Sequence, residues 1–247
     1  MSNNVGDEPP QFPMRVSDFL AKADHYLNPG DIILTRGNYL SSQIIRWIIG
    51  SFFSHAALVF LTPRPENGLN NTFVLESMPT GIGLAKLKTY VGGAKPSEDV
   101  AILRMQGAGI DEAYFKQVGA LMLDYVKTSY DFGRAINLGL SLFFSLRRKF
   151  AKPGRRYSLF KQWTPSQFIC SGFIQYGFVE ALRRKGVDPS LVVFKPDLSP
   201  NDRDGLLAIS PQDIAESQIP KWLYAVRRGW VYEVGNYDEA RKVISGA

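Results

Sequence analysis

Short apolar runs, bounded by turn-forming residues, recur along the chain. Four of them are rich in Ile, Val, Leu and Phe, at 31–37, 55–62, 72–77 and 99–105. Such runs are typical of buried β-strands. Two further strands are predicted in KWLYAVR and GWVYEV, which flank a turn at Arg228-Gly229.

Other segments carry apolar residues at helical spacing and predict helices at 16–27, 41–50, 110–127, 132–150 and 166–185. Ser41 or Ser42 is expected to cap the second helix, which Gly50 ends. Ser210 and Pro211 have the residue types that begin a helix. The order of the elements predicts an α+β fold, a single domain over 1–247 in which helices pack on an antiparallel sheet.

The stretch 44–61 is long and apolar enough to raise the question of a membrane span. It contains Arg46 and His55, and titratable groups are costly in a bilayer core. We therefore predict a short amphipathic helix followed by a buried strand. The N-terminus has neither a basic start nor an apolar run, so we expect a cytoplasmic protein without a signal peptide or transmembrane segment.

Composition excludes several protein classes. The chain has 247 residues, 45% of them apolar and 21% charged, which is unlike a disordered or repeat protein. A single cysteine cannot form an intramolecular disulfide. Together with only two histidines, it also cannot supply a Cys-rich structural zinc site. We predict no metal and no cofactor.

The positive charge is concentrated in one segment. The net charge is +6, and residues 141–185 contain ten Lys or Arg against one acidic residue, Glu180. A basic surface of this kind favours an anionic partner such as a membrane or a nucleic acid. The alternative is an ordinary solvated loop and helix face.

The lone cysteine, Cys170, lies in the run FICSGFIQYGF. It is either a small core residue or a nucleophile, and a nucleophile needs an imidazole and a group that orients the imidazole. His25 is expected to be a solvated residue on the first helix. His55 begins a predicted strand, at a sheet end where active sites often form.

Glu76 is the candidate orienting group. If 55–62 and 72–77 form an antiparallel hairpin, His55 is expected to face position 77, within one residue of Glu76. A slip of one residue would place the two side chains on opposite faces. Thr164-Pro165 predicts a helix start more than a turn before Cys170. The alternative start, near Cys170, would lower the pKa of the thiol through the helix dipole.

Several motifs together resemble the circularly permuted papain-like amidases, the YiiX/YaeF-like group related to NlpC-type peptidases and the lecithin:retinol acyltransferase family. They span about 28–217 and occur in the family's order: NPGDIILTRG, FSHAALV, FVLES with a glycine-containing turn at 80–83, SYDF, FICSGFIQYGF and AISPQDIAES. The resemblance implies a permuted papain-like fold with Cys170 as nucleophile, His55 as base and Glu76 as the orienting residue. It also implies that the Cys170 backbone N–H helps to bind the oxyanion.

The resemblance leaves a basic, aromatic insert at about 132–163 unmatched. Within it, 141–161 resembles a surface that could lie on an anionic membrane, or it could equally be a helix packed in the core. The function that the resemblance implies is a cysteine hydrolase or acyltransferase acting on a peptide amide or an acyl lipid. The alternative is a non-catalytic module that binds membrane surfaces. No nucleic-acid recognition motif accompanies the basic run, so nucleic acid is not the expected partner.

Overall fold

An eight-stranded sheet forms the centre of the computed structural model, which describes residues 11–78, 81–92, 98–124 and 170–246. Its strands are β1 Met14–Arg15, β2 Ile32–Gly37, β3 His55–Leu61, β4 Phe73–Met78, β5 Gly81–Lys86, β6 Glu98–Met105, β7 Pro220–Arg227 and β8 Trp230–Glu233. Their order across the sheet is β1-β8-β7-β6-β2-β3-β4-β5, and every neighbouring pair is antiparallel. The predicted antiparallel sheet of an α+β protein is confirmed.

Helices cover both faces of this sheet. They are α1 Val16–Ala21, α2 Ala23–Tyr26, α3 Leu40–Ile49, α4 Lys88–Val91, α5 Glu112–Leu123, α6 Cys170–Arg184, α7 Arg203–Leu207, α8 Pro211–Glu216 and α9 Tyr237–Ser245. Short 3-10 turns lie at Pro65–Asn67 and Pro189–Val192. The predicted helix at 132–150 and the insert at 132–163 lie outside the described residues.

Two hydrophobic clusters, one on each face, bury the central strands. One cluster joins α5, α6 and α9 to the sheet through residues such as Phe178 and Leu103, and the other joins α1 and α2 through residues such as Phe19 and Ile102. Because both faces are covered, β2 is buried along nearly its whole length rather than at alternate positions, and its first three residues, Ile32, Ile33 and Leu34, are all apolar. This explains the continuous apolar runs in the sequence.

The stretch 44–61 forms the end of α3 followed by β3, as predicted. Gly50 ends α3 in the left-handed region, at φ 64°. The predicted serine cap is wrong, because Tyr39 occupies the N-cap position and no side chain caps the helix. None of the helices in the described ranges is long and apolar enough to cross a bilayer.

Of three further sequence predictions, two are confirmed and one is wrong. Ser210 caps α8 in a reciprocal capping box with Asp213. The turn between β7 and β8 has positive φ at Arg228 and Gly229, 48° and 81°, as a tight hairpin requires. The predicted helix at 16–27 is instead two short helices, α1 and α2.

The glycines of the predicted turn at 80–83 belong instead to strand β5, since Gly81 and Gly83 pair with β4. Residues 79 and 80 lie outside the described part of the chain. Glycine is depleted in strands, so its presence hid a strand at the edge of the sheet. The sheet also extends beyond 28–217, the range that the family motifs span. Strands β1, β7 and β8 lie outside that range and belong to the same sheet.

Candidate active site

His55 lies at one end of the sheet, as the first residue of β3. It pairs with Thr35 of β2. The strand start is held by Ser54, whose hydroxyl donates to the Thr35 carbonyl at 3.2 Å and accepts from the Gly37 N–H at 3.1 Å. These two bonds fix where β3 begins, and therefore where the imidazole projects.

Glu76 meets His55 across the hairpin of β3 and β4. Ala57, not His55, is directly opposite Glu76, so the register differs by one residue from the predicted one. His55 and Ala57 lie on the same face because side chains alternate along a strand. Glu76 is therefore a diagonal neighbour of His55 on that face, and its Oε2 lies 3.2 Å from His55 Nε2.

A second group holds the Glu76 carboxylate. The Tyr90 hydroxyl, from α4, donates a hydrogen bond to Glu76 Oε2. Tyr90 is buried in the cluster on this face of the sheet. Nothing in the sequence around Tyr90 distinguishes it from a core aromatic residue, so no sequence motif predicts its contact with Glu76.

Cys170 approaches from the other side, on α6. It is the first residue of that helix in the described ranges, so the question of where the helix starts lies outside them. The thiol forms a hydrogen bond with His55, and the backbone N–H groups of Ala56 and Ser171 donate to the sulfur. The structure thus brings Cys170, His55 and Glu76 together in one chain of contacts.

The electrostatics favour a thiolate–imidazolium pair. Burial alone would lower the pKa of His55, but the charge of Cys170 and the hydrogen bonds to Cys170 and Glu76 raise it to about 10. Burial alone would raise the pKa of Cys170, but the imidazolium and the backbone N–H groups lower it. The pKa of Glu76 is also lowered, because the hydrogen bonds from His55 and Tyr90 outweigh its desolvation.

The site is shielded but not sealed. The side chains of His55 and Glu76 are 15% and 14% exposed, and Cys170 is partly buried.

The side chain of His25, by contrast, is 62% exposed, and its Nε2 lies 3.6 Å from Asp24 Oδ2. The prediction that His25 is a solvated surface residue is confirmed.

Helix α6 is anchored firmly behind the thiol. Ser171 Oγ donates to the Ile209 carbonyl at 2.5 Å. The Gln175 side chain donates to the Val192 carbonyl and accepts from the Phe194 N–H, both at 2.8 Å. These buried bonds fix the helix, and with it the position of the sulfur.

Within the residues that the structure describes, no group of three or more His, Cys, Asp or Glu side chains is arranged to hold a metal ion.

Of three comparisons with known proteins, the comparison with solved structures found a similarity. No family model matches the chain, and no curated protein matches it. Among solved structures, the crystal structure of the metalloprotein yiiX from Escherichia coli O157:H7, described as DUF1105, is similar to this chain. The two share 18% sequence identity with a TM-score of 0.48, and the match covers 80% of this chain and 97% of that one.

Proposed function

We propose that this protein is a thiol hydrolase or acyltransferase, with a circularly permuted papain-like fold, that cleaves an amide or ester through a thioester on Cys170. The observation that supports it is the convergence of the only cysteine with His55 and Glu76. These three residues lie far apart in the sequence and on three different elements, β3, β4 and α6. A cysteine that only filled the core would have no need of a charged partner.

In the proposed reaction the Cys170 thiolate attacks the substrate carbonyl carbon and a C–S bond forms. The His55 imidazolium gives its proton to the leaving amine or alcohol as the scissile bond breaks. His55, now neutral, then takes a proton from water or from a second acceptor. The deprotonated water or acceptor attacks the thioester carbonyl. The C–S bond breaks, the acyl group is released, and the Cys170 thiolate forms again.

Glu76 and Tyr90 act through the imidazole. Glu76 holds His55 Nε2, so we assign the other ring nitrogen, Nδ1, to the thiol. The carboxylate also stabilises the imidazolium. Tyr90 fixes the carboxylate in turn. In this proposal the Cys170 backbone N–H contributes to binding the oxyanion.

The proposal predicts a thiol that reacts at unusually low pH. Because the pKa of Cys170 is lowered, its thiolate persists below the pH at which an ordinary thiol, with a pKa of about 8.5, has lost it. His55→Ala removes the imidazolium and should return the pKa towards that value. Near pH 6 we expect iodoacetamide to label the variant about tenfold more slowly, since the greater nucleophilicity of a more basic thiolate offsets part of its lower abundance.

The measurement is the labelling rate as a function of pH, followed by intact mass, and the chain has no second cysteine to compete. His25→Ala is the matched control and should leave the profile unchanged. Slow labelling that is indifferent to His55 would contradict the proposal.

A second candidate function is docking on an anionic membrane. The basic segment 141–161 that suggests it lies outside the described residues. In the described part, α3 exposes apolar side chains, with Leu40 72%, Ile44 48% and Ile45 44% exposed. An amphipathic helix that exposes apolar side chains is typical of peripheral membrane binding.

For this second function we expect the Cys170→Ala variant to sediment with anionic vesicles and not with neutral ones. Because the attraction is electrostatic, added salt should weaken the binding. The matched variant Ile44→Ser should bind less than the parent. Binding that ignores both salt and lipid charge would contradict docking through the basic segment.

A further inference from the structure

A cleft of about 610 Å³ lies at the same end of the sheet as His55, and four arginines line it together with one carboxylate. The five charged residues are Arg36, Arg46, Arg227, Arg228 and Asp99. They come from β2, α3, β6, β7 and the turn after β7. The volume is typical of a site for a small molecule.

Three of the arginines are held in place by the fold. Arg36 lies over the ring of Phe52, with 4.2 Å from its guanidinium carbon to the ring centroid. Arg46 Nη1 donates to the Gly37 carbonyl at 2.7 Å, and Arg227 Nη1 donates to the Val243 carbonyl at 3.1 Å. A guanidinium has five N–H donors, so one such bond leaves most of them for a ligand.

The charges in this cleft are not balanced within the described part of the chain. Among the lining residues that the structure describes, Asp99 is the one carboxylate. None of the ion pairs found among the described residues includes any of the four arginines. Burial lowers the pKa of Arg46, and the positive charge of Arg36 lowers it further. Arg36 and Arg46 therefore repel each other across the partly buried cleft, and a bound anion would offset that repulsion.

We propose that this cleft binds a phosphate group, carried by a soluble phosphate ester or by a lipid headgroup. A phosphate monoester has about two negative charges at neutral pH and three acceptor oxygens. It therefore offsets the excess of four guanidinium groups over one carboxylate better than a carboxylate ligand, which has a single charge. The planar fork of arginine binds phosphate oxygens two at a time.

The site is separate from the thiol but close to it in the sheet. His55 pairs with Thr35, the residue before Arg36. Phosphate binding requires none of the three residues proposed for catalysis. Its failure would therefore leave the thiol chemistry intact, and binding can be measured in the full chain carrying Cys170→Ala.

Isothermal titration at constant ionic strength tests the proposal, with inorganic phosphate and glycerol phosphate as probes. Saturable binding is expected. Arg36→Gln and Arg228→Gln should each weaken it about tenfold or more, because each removes hydrogen bonds to a charged ligand. Phosphate should also raise the thermal unfolding midpoint of the parent, and less so that of the two variants. Arg64→Gln is the control, since Arg64 is exposed, lies outside the cleft and carries the same charge.

Vesicles of phosphatidylcholine, with and without phosphatidic acid, identify the source of the phosphate. Binding of the soluble ester supports the proposal with a soluble ligand. Binding of phosphatidic acid vesicles alone, lost in Arg36→Gln, supports it with a lipid ligand. If no probe binds saturably, or if Arg64→Gln weakens binding as much as Arg228→Gln, the proposal is overturned, because the attraction would then be absent or merely diffuse.

Discussion

Replacing His55 with alanine should reduce the steady-state hydrolysis of p-nitrophenyl esters about 100-fold or more. Two losses combine. The thiolate loses the imidazolium that stabilises it, so acylation slows. The thioester also loses the base that would activate water, so release slows as well. A group that only packed against the sulfur would affect neither step by such a factor.

The measurement is p-nitrophenolate release together with the intact mass of the protein. The mass matters because an acyltransferase without its acceptor would accumulate the acyl-enzyme instead of turning over. The adduct should be on Cys170 and should be removed by neutral hydroxylamine. A series of acyl chain lengths separates the two substrate classes, since an acyl-lipid enzyme should prefer long chains and an amidase should not.

His25→Ala, at the only other histidine, should behave as the parent does. Cys170→Ala should form no adduct. A parent protein that gives neither product nor adduct with any ester would count against the proposed function, as would an adduct that persists in Cys170→Ala.

Replacing Gly172 with alanine should lower the free energy of unfolding by about 3 kcal/mol or more. A Cβ at this position would lie 2.1 Å from the Leu207 carbonyl oxygen and 2.5 Å from its carbon. Both are backbone atoms, which cannot swing aside as a side chain can. Helix α6 would have to move away from the segment at Leu207, and Cys170, two residues before Gly172, would move with it.

The sign of the effect makes this a sharp test. In a helix interior, glycine to alanine normally stabilises by about 0.5–1 kcal/mol. Gly177→Ala, in the same helix, is the matched control, because its nearest neighbour is the flexible Met122 side chain at 3.2 Å. Urea unfolding should therefore show a large loss for Gly172→Ala and little change for Gly177→Ala. Equal effects in the two variants would show that the close approach of Gly172 to Leu207 does not affect the free energy of unfolding.

The hairpin of β3 and β4 shows how far local sequence can lead. Its two strands and their antiparallel pairing were predictable because each is a short apolar run bounded by turn-forming residues. The predicted register, with His55 opposite position 77, differs by one residue from the actual register, in which Ala57 is opposite Glu76. With a side-chain period of two, that residue decides whether Glu76 and His55 share a face. Loop length alone cannot determine it, and the pair forms diagonally rather than directly across.

Elements without a local signature were missed. Strand β5 begins with glycines and resembles a turn, and it forms because β4 offers an open edge for pairing. Tyr90 was missed because its contact depends on where α4 packs against the sheet. That position lets its hydroxyl donate a hydrogen bond to the Glu76 carboxylate. The arginine cleft was also missed, since Arg36 and Arg228 lie at opposite ends of the sequence and meet only through the order of the strands.

The sequence by itself determined most strands, the amphipathic α3, the capped α8 and a short inventory of reactive groups, namely one cysteine and two histidines. These follow from propensity, periodicity and composition, which act over a few residues. Only the tertiary structure decided that Cys170 meets His55, that Glu76 and Tyr90 support it, and that four arginines gather in one cleft. Such contacts join residues far apart in the chain. Their geometry depends on strand order and register, which are properties of the whole sheet rather than of any one segment.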